Sequence, residues 1–336
     1  MNNRITELFP GAGCAWSDAA GRISTESYGA ADRESHTSVD DSTIFPACSI
    51  SKFAAALCVM KLREQDLLGL DTPVNRYLRS WKLRTPDGKE SDAAVRSLLC
   101  HTTGIRDGED GFCGLRRGGP EISLIDILEG TTAYNNRPAR AEKPQGTAFE
   151  YTDAGYCVLQ LMLQELTRKP FEAIARELVF DPLRLESTFF ASPGEIARFE
   201  SRMAAGYDGG GLPIPGKLPC VPDLAASGLW STPKELLKIA AAFIEALHGG
   251  SAFLRAESAR EMAKPVKGFP WTGLGVFREG EDVLVSQGWG ENGQCMMKMN
   301  VRTKRIAVVM TNRNPGVDQA ESGVERLVDG KLNEKE

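Results

Sequence analysis

The chain has 336 residues, 42% of them hydrophobic and 25% charged, and 40 Lys+Arg against 45 Asp+Glu give a formal net charge of −5. This is the composition of a globular protein rather than a disordered chain or a coiled coil, with enough length for one large core or a core carrying an inserted subdomain. Basic residues gather only in pairs such as Arg116-Arg117, Arg168-Lys169 and Lys304-Arg305, too sparse to follow a phosphate backbone, so nucleic acid is not expected as a partner.

Residues 1–10 lack the apolar run of a secretory signal, and nothing later approaches the roughly 18 apolar residues of a membrane span. The expectation is a cytoplasmic protein with no membrane partner. The eight cysteines, Cys14, Cys48, Cys58, Cys100, Cys113, Cys157, Cys220 and Cys295, show no metal-binding spacing and read as buried free thiols, so neither a metal nor a cofactor is expected.

Residues 12–18 and 22–28, parted by Ala19-Ala20-Gly21, predict an N-terminal hairpin. Residues 52–62 are almost wholly apolar and free of glycine and proline, the pattern of a buried helix with Ser49 at or beside its amino terminus. From about residue 75 to 215 the pattern changes to short helices, over 92–100, 122–128, 155–166 and 171–179, separated by glycine- and proline-rich loops. An amphipathic helix over 233–247 starts at Ser231-Thr232-Pro233. Strands over 283–287, 294–299 and 304–311 follow, with links short enough for antiparallel hairpins, and a last helix spans about 317–328. The Ser49 helix and the two terminal helices are expected to cover the sheet.

Three stretches carry candidate chemistry. Ser49 and Lys52, three apart, emerge on nearly the same helix face, and Lys52 opens a run with no further charge until Lys61. A lysine whose pKa is lowered by burial can take a serine's proton, although a capping serine beside a solvated lysine would look the same. Tyr151 lies at the loop edge of Gly146-Thr147-Ala148-Phe149-Glu150-Tyr151-Thr152-Asp153, where a phenol near ammonium groups can exchange protons and where Asp153 also suits a helix cap. Ser286-Gln287-Gly288-Trp289-Gly290 ends a strand, and its glycines would let a substrate approach the backbone, or simply form a hairpin turn around a packed tryptophan. Of the three histidines, His36, His101 and His248, none adjoins a glycine-serine-glycine elbow, and His101 is expected to be structural.

Phe45-Pro46-Ala47-Cys48-Ser49-Ile50-Ser51-Lys52-Phe53, Leu67-Leu68-Gly69-Leu70-Asp71-Thr72-Pro73-Val74 and Leu98-Leu99-Cys100-His101-Thr102-Thr103-Gly104-Ile105, continuing through residues 146–156, 180–188, 226–232 and 308–314, resemble the serine beta-lactamase and penicillin-binding-protein superfamily. The nearest resemblance is to its class C beta-lactamase-like branch, which includes esterases, D-aminopeptidases, D,D-peptidases and acyltransferases. The resemblance implies an α+β fold, an antiparallel sheet flanked by helices with a mostly helical domain inserted. The sheet domain would comprise residues 1–75 and 216–336, the inserted domain residues 76–215, and the active site would lie in the cleft between them. It also implies Ser49 as the acylated nucleophile, Lys52 orienting and helping to deprotonate it, and Tyr151 as general base. The family's third motif falls on Gln287-Gly288-Trp289, with Ser286-Gln287-Gly288 as the other register, and the oxyanion N–H groups would be those of Ser49 and Gly290.

Two departures bear on the substrate. Gln287 stands where the family has lysine or histidine, and a neutral amide makes no ion pair with a substrate carboxylate. Asp153 stands where asparagine is common; a carboxylate there raises the pKa of Lys52, or binds a cationic group such as a free amine. Substrate contacts are expected from Asp153, Gln287, Gly288 and Trp289. The expected activity is a serine hydrolase of the esterase or amidase type acting on a small ester or amide. The alternatives are a beta-lactamase, a D,D-peptidase or D-aminopeptidase, an acyltransferase to an amine or alcohol, or a non-catalytic binding protein.

Overall fold

The computed structural model describes residues 7–113, 122–216, 218 and 221–334. The N-terminal hairpin forms from β1 (Gly11–Ser17) and β2 (Ile23–Asp32), extended by β3 (Thr37–Ser38). Three short strands, β4 (Phe45–Cys48), β5 (Phe189–Phe190) and β6 (Leu229–Ser231), make a small sheet in the order β4-β6-β5. The last third supplies β7 (Phe277–Glu279), β8 (Val283–Gly290), β9 (Gly293–Asn300) and β10 (Ile306–Thr311). Both ends of the chain join in one seven-stranded antiparallel sheet, ordered β3-β2-β1-β10-β9-β8-β7.

The helices before β6 are α1 (Ser51–Glu64), α2 (Val95–Leu99), α3 (Leu124–Glu129), α4 (Asp153–Thr167), α5 (Phe171–Ala175), α6 (Pro193–Phe199) and α7 (Leu224–Ser227). After β6 come α8 (Pro233–Leu247), α9 (Ala256–Ala263), α10 (Gln319–Ser322) and α11 (Val324–Leu332). No helix among the described residues is long and apolar enough to cross a membrane.

Strand alternation sends β10 side chains to two cores. Val308 and Met310 face the main core, with Leu236, Leu237 and Phe243 of α8, whereas Ala307 and Val309 pack under Val324, Leu327 and Val328 of α11. Each fully buried Leu, Val or Phe contributes roughly 1.5–3 kcal/mol, so the sheet is clamped from both faces.

The helix that follows Ser49 differs from expectation in its partners. α1 is buried along nearly its whole length, but it packs chiefly on α7, with further contacts to residues 176–180, α5 and α4, rather than lying across the large sheet. That arrangement puts the amino end of α1 beside the amino end of α4, where Tyr151 and Asp153 lie. Residues 317–328 form two helices instead of one, because Gly323, at φ +85°, takes a left-handed turn between α10 and α11. Of residues 92–100, only α2 is helical, since the N–H groups of Val95 and Arg96 bond back to Thr72 and Leu70. β4 shows no alternation and is buried throughout, which left no periodic signal in the sequence.

β8 passes close to β4, the strand that leads into Ser49. A Cβ on Gly288 would lie 2.5 Å from the Ala47 carbonyl oxygen and 2.6 Å from Cys295 Sγ. Gly288→Ala should therefore destabilise the fold by about 1–3 kcal/mol through overpacking, read from guanidinium unfolding. Gly330→Ala, on α11 with open space around it, should instead leave stability unchanged or raise it by up to about 1 kcal/mol.

Candidate active site

β4 ends at Cys48, whose φ of +45° bends the chain sharply into Ser49. The bend is pinned by Ser51, whose hydroxyl donates to the Cys48 carbonyl at 2.5 Å and accepts the Leu229 N–H at 2.9 Å. Ser49 is thereby left half-exposed one turn before the buried Lys52.

Lys52 uses all three of its protons. Its Nζ donates to Ser49 Oγ at 3.1 Å, to Asp153 Oδ1 at 2.5 Å and to the Ala226 carbonyl at 3.0 Å. Burial opposes its charge, but the adjacent Asp153 carboxylate and Tyr151 phenol outweigh that effect and hold its pKa above the usual lysine value. A lysine so held is an ammonium group, which differs from a base made neutral by a low-polarity setting.

Tyr151 completes the group, with Lys52 Nζ 4.8 Å from its ring centroid and its phenol interacting with both Lys52 and Ser49. Burial raises the phenol pKa, the Lys52 charge pulls it down and the Asp153 charge pushes it up, with a net rise. The ring is held by His101, centroids 4.5 Å apart, which packs also on Tyr156 and Phe277. His101 Nδ1 accepts the Thr152 N–H at 3.3 Å, and burial, with Lys52 nearby, keeps the imidazole neutral.

Asp153 is the first residue of α4 rather than its cap. Thr152 caps the helix through the Gly155 N–H, and Asp107 accepts the N–H groups of Asp153 and Ala154 together with the Thr152 hydroxyl. With the cap supplied by others, Asp153 is free to turn towards Lys52. A third carboxyl stands behind it: Asp223, fully buried, accepts from Tyr134 Oη at 2.6 Å through Oδ1, while its Oδ2 has no partner. Burial and the Asp153 charge push Asp223 up to about 7 and also raise Asp107. The spacing of Asp107, Asp153 and Asp223 along the chain gave no sequence signal for this cluster.

The third-motif residues divide between two recesses. Ser286 and Gln287 line a recess with Ser49, Lys52, Tyr151 and His101; Trp289, 46% exposed, and Gly290 line another with Asp153 and Cys48. Gly288 faces the tightly packed β4 and contributes no side-chain surface to either recess. Gly290 pairs with Gly293 around the two-residue turn Glu291-Asn292, and two residues back Gln319 Nε2 reaches both the Gly288 and Cys295 carbonyls at 2.9 Å. In such a ladder alternate residues turn their amides into the pair. Gly288 and Gly290 therefore point theirs at β9, whereas Gln287 and Trp289 point theirs outward, beyond the end of the β7 pairing at Val285. The outward amide is thus that of Trp289, whereas Gly290, the expected oxyanion donor, turns its amide towards β9. In neither register does β8 present a cation.

Among the aromatic side chains around the site, Tyr156 is buried with its hydroxyl on the Leu99 carbonyl, Phe149 and Trp271 meet edge to face, and Trp230 joins Trp289 in lining the second recess. Cys14, Cys48, Cys58, Cys100, Cys157 and Cys295 are buried free thiols and Cys113 is exposed. Arg116, Arg117 and Cys220 lie outside the described residues.

A mixed architecture of antiparallel sheet and flanking helices, with serine and lysine one turn apart at the head of a buried helix, places the chain in the serine beta-lactamase and penicillin-binding-protein superfamily. It belongs to the beta-lactamase family, whose model, described as "Beta-lactamase", matches residues 6–329. Esterase EstB of Burkholderia gladioli is 30% identical over 180 residues, 51% of this chain and 44% of that protein. Unguisins hydrolase ungD of Aspergillus violaceofuscus (strain CBS 115571) is 29% identical over 187 residues, 54% of this chain and 32% of that protein. The matched stretch thus spans less than half the length of either curated relative. D-amino acid amidase from Ochrobactrum anthropi SV3, complexed with L-phenylalanine amide, shares the fold at a TM-score of 0.79 and 20% identity, covering 98% of this chain and 95% of its own. Family membership supports hydrolase activity in general.

Because His101 is protonated more readily in the unfolded chain, where its pKa is about 6.5, unfolding takes up a proton and stability falls as pH drops below that value. His101→Gln should flatten this decline, by up to roughly 1.4 kcal/mol per pH unit, when urea unfolding is compared at pH 7 and pH 5.

Proposed function

We propose that the protein is a serine hydrolase that cleaves a small ester or amide through an acyl-enzyme on Ser49. The observation that carries the reading is the convergence on one partly open hydroxyl of Lys52 Nζ, at 3.1 Å, and the Tyr151 phenol. Lys52, with all three protons engaged, orients Ser49 Oγ and stabilises negative charge on Tyr151. The Tyr151 phenolate takes the serine proton as Oγ bonds to the substrate carbonyl carbon, then returns it to the leaving alcohol or amine as that bond breaks. The N–H groups of Ser49 and Trp289 receive the oxyanion. Water then attacks the acyl-enzyme, giving its proton to Tyr151, and the acid departs as Ser49 recovers a proton.

The cleft is read as the junction between a sheet domain, residues 1–75 with 216–336, and a helical domain, residues 76–215. Esters and amides are favoured over beta-lactams and carboxylate-bearing peptides because β8 offers Ser286 and Gln287 where an ion pair with a carboxylate would need a cation. The names of the esterase and amidase relatives point the same way.

Ser49→Ala should abolish covalent labelling by a fluorophosphonate, seen by intact-mass spectrometry; persistent labelling overturns the assignment. Since Tyr151 must be ionised to act and its pKa is raised, kcat/KM for a neutral ester should climb between pH 7 and 10.

A further inference from the structure

The recess on the Asp153 side of Ser49 is built differently from the one on the Tyr151 side. It is a small chamber of about 80 Å³, walled by Phe112, Trp230 and Trp289, with Asp153, Tyr134 and Asn292 as polar lining. Asp153 gives Oδ1 to Lys52 yet keeps a side chain 19% exposed, so the carboxylate also faces the chamber. Two polar atoms of this region are buried without partners. Asn292, 3% exposed and lining the chamber, has an unpartnered Nδ2, and Asp223, whose other oxygen holds the lining Tyr134 hydroxyl, has an unpartnered Oδ2.

Charge gives these orphans a direction. Asp153 lies within electrostatic reach of both Asp107 and Asp223, and the charge of Lys52 also acts on Asp223. One lysine, already bonded to Asp153, leaves the cluster short of positive charge. Buried carboxyls without a counter-charge are costly, and an incoming cation relieves that cost. The indoles of Trp230 and Trp289 in its wall are side chains that can attract a desolvated ammonium as well. β8 presents no cation, so nothing on that strand repels one.

Resting on the hydrolase reading above, we propose that the chamber takes the acyl part of the substrate and selects acyl groups carrying a free primary ammonium beside the scissile carbonyl. Asp153 receives the ammonium from the side opposite Lys52. Asp223 supports it through the Tyr134 hydroxyl, and Asn292 offers an N–H to an acceptor on the same acyl group. The substrates are esters or amides of small amino acids with an unblocked amine. The small chamber favours short side chains. N-acylated forms lose both the charge and the fit.

The test compares 4-nitrophenyl esters of alanine, in each enantiomer, of N-acetylalanine and of isobutyrate, the last replacing the ammonium by a methyl group. Initial rates are corrected for spontaneous hydrolysis. In the wild-type protein at least one alanyl ester should exceed the isobutyryl ester by tenfold or more in kcat/KM, mainly through KM. N-acetylation should remove the advantage, and added salt should shrink it. In Asp153→Asn the alanyl-to-isobutyryl ratio should fall towards one, and in Asp223→Asn by a smaller factor. Turnover of the isobutyryl ester with no alanyl preference overturns the ammonium assignment and leaves the hydrolase reading standing. No turnover and no Ser49 adduct with any of the esters overturns the hydrolase reading, and the ammonium assignment falls with it.

Discussion

The ion pair between Lys52 and Asp153 joins two helices that begin far apart in sequence, and the site is organised around it. Lys52 is buried on α1, Asp153 opens α4, and their atoms meet at 2.5 Å. Two charges taken out of water are tolerated only when their remaining hydrogen-bonding capacity is met. Lys52 meets it with the Ala226 carbonyl and Ser49 Oγ, so the neutralisation of a buried lysine and the orientation of the serine are one arrangement.

That arrangement changes the division of labour from what a lysine in apolar surroundings would suggest. Without Asp153, burial would push Lys52 towards neutrality and make it a candidate base. With Asp153 it is a fixed positive charge, and in the proposed reaction proton exchange passes to Tyr151, whose pKa that charge restrains while burial lifts it. His101 and Thr152 serve the same geometry from behind: the imidazole stays neutral, stacks on the phenol and accepts the N–H of the helix cap. A carboxylate in place of a neutral amide thus acts on both sides of the cleft, tuning the residues around Ser49 on one side and leaving an acidic chamber on the other.

The sheet contributes position rather than charge. β8 can pass beside the nucleophile strand only because Gly288 has no Cβ to meet Ala47, and the pairing of Gly290 with Gly293 decides which amides turn outward. A shift of one residue in that register would turn the opposite set of amides away from β9. The small sheet serves the same end, since β4 is buried on β6 and delivers Ser49 at a bend held by Ser51 and Leu229.

Local signals in the chain were enough for much of this. The apolar run after Ser49, the hairpins at both ends of the sheet and the capped helix over residues 233–247 follow from periodicity and turn residues, which depend on neighbours only a few positions away. Ser49, Lys52 and Tyr151 were legible because short motifs surround them. What sequence did not determine were the features that require distant segments to meet. The Asp107–Asp153–Asp223 cluster, the Thr152 cap that frees Asp153 for Lys52, the partners of α1 and the outward turn of the Trp289 amide all belong to this group. Each of these rests on packing or strand register, and such contacts leave no periodic trace, because burial, charge balance and pairing are settled only when the whole core closes.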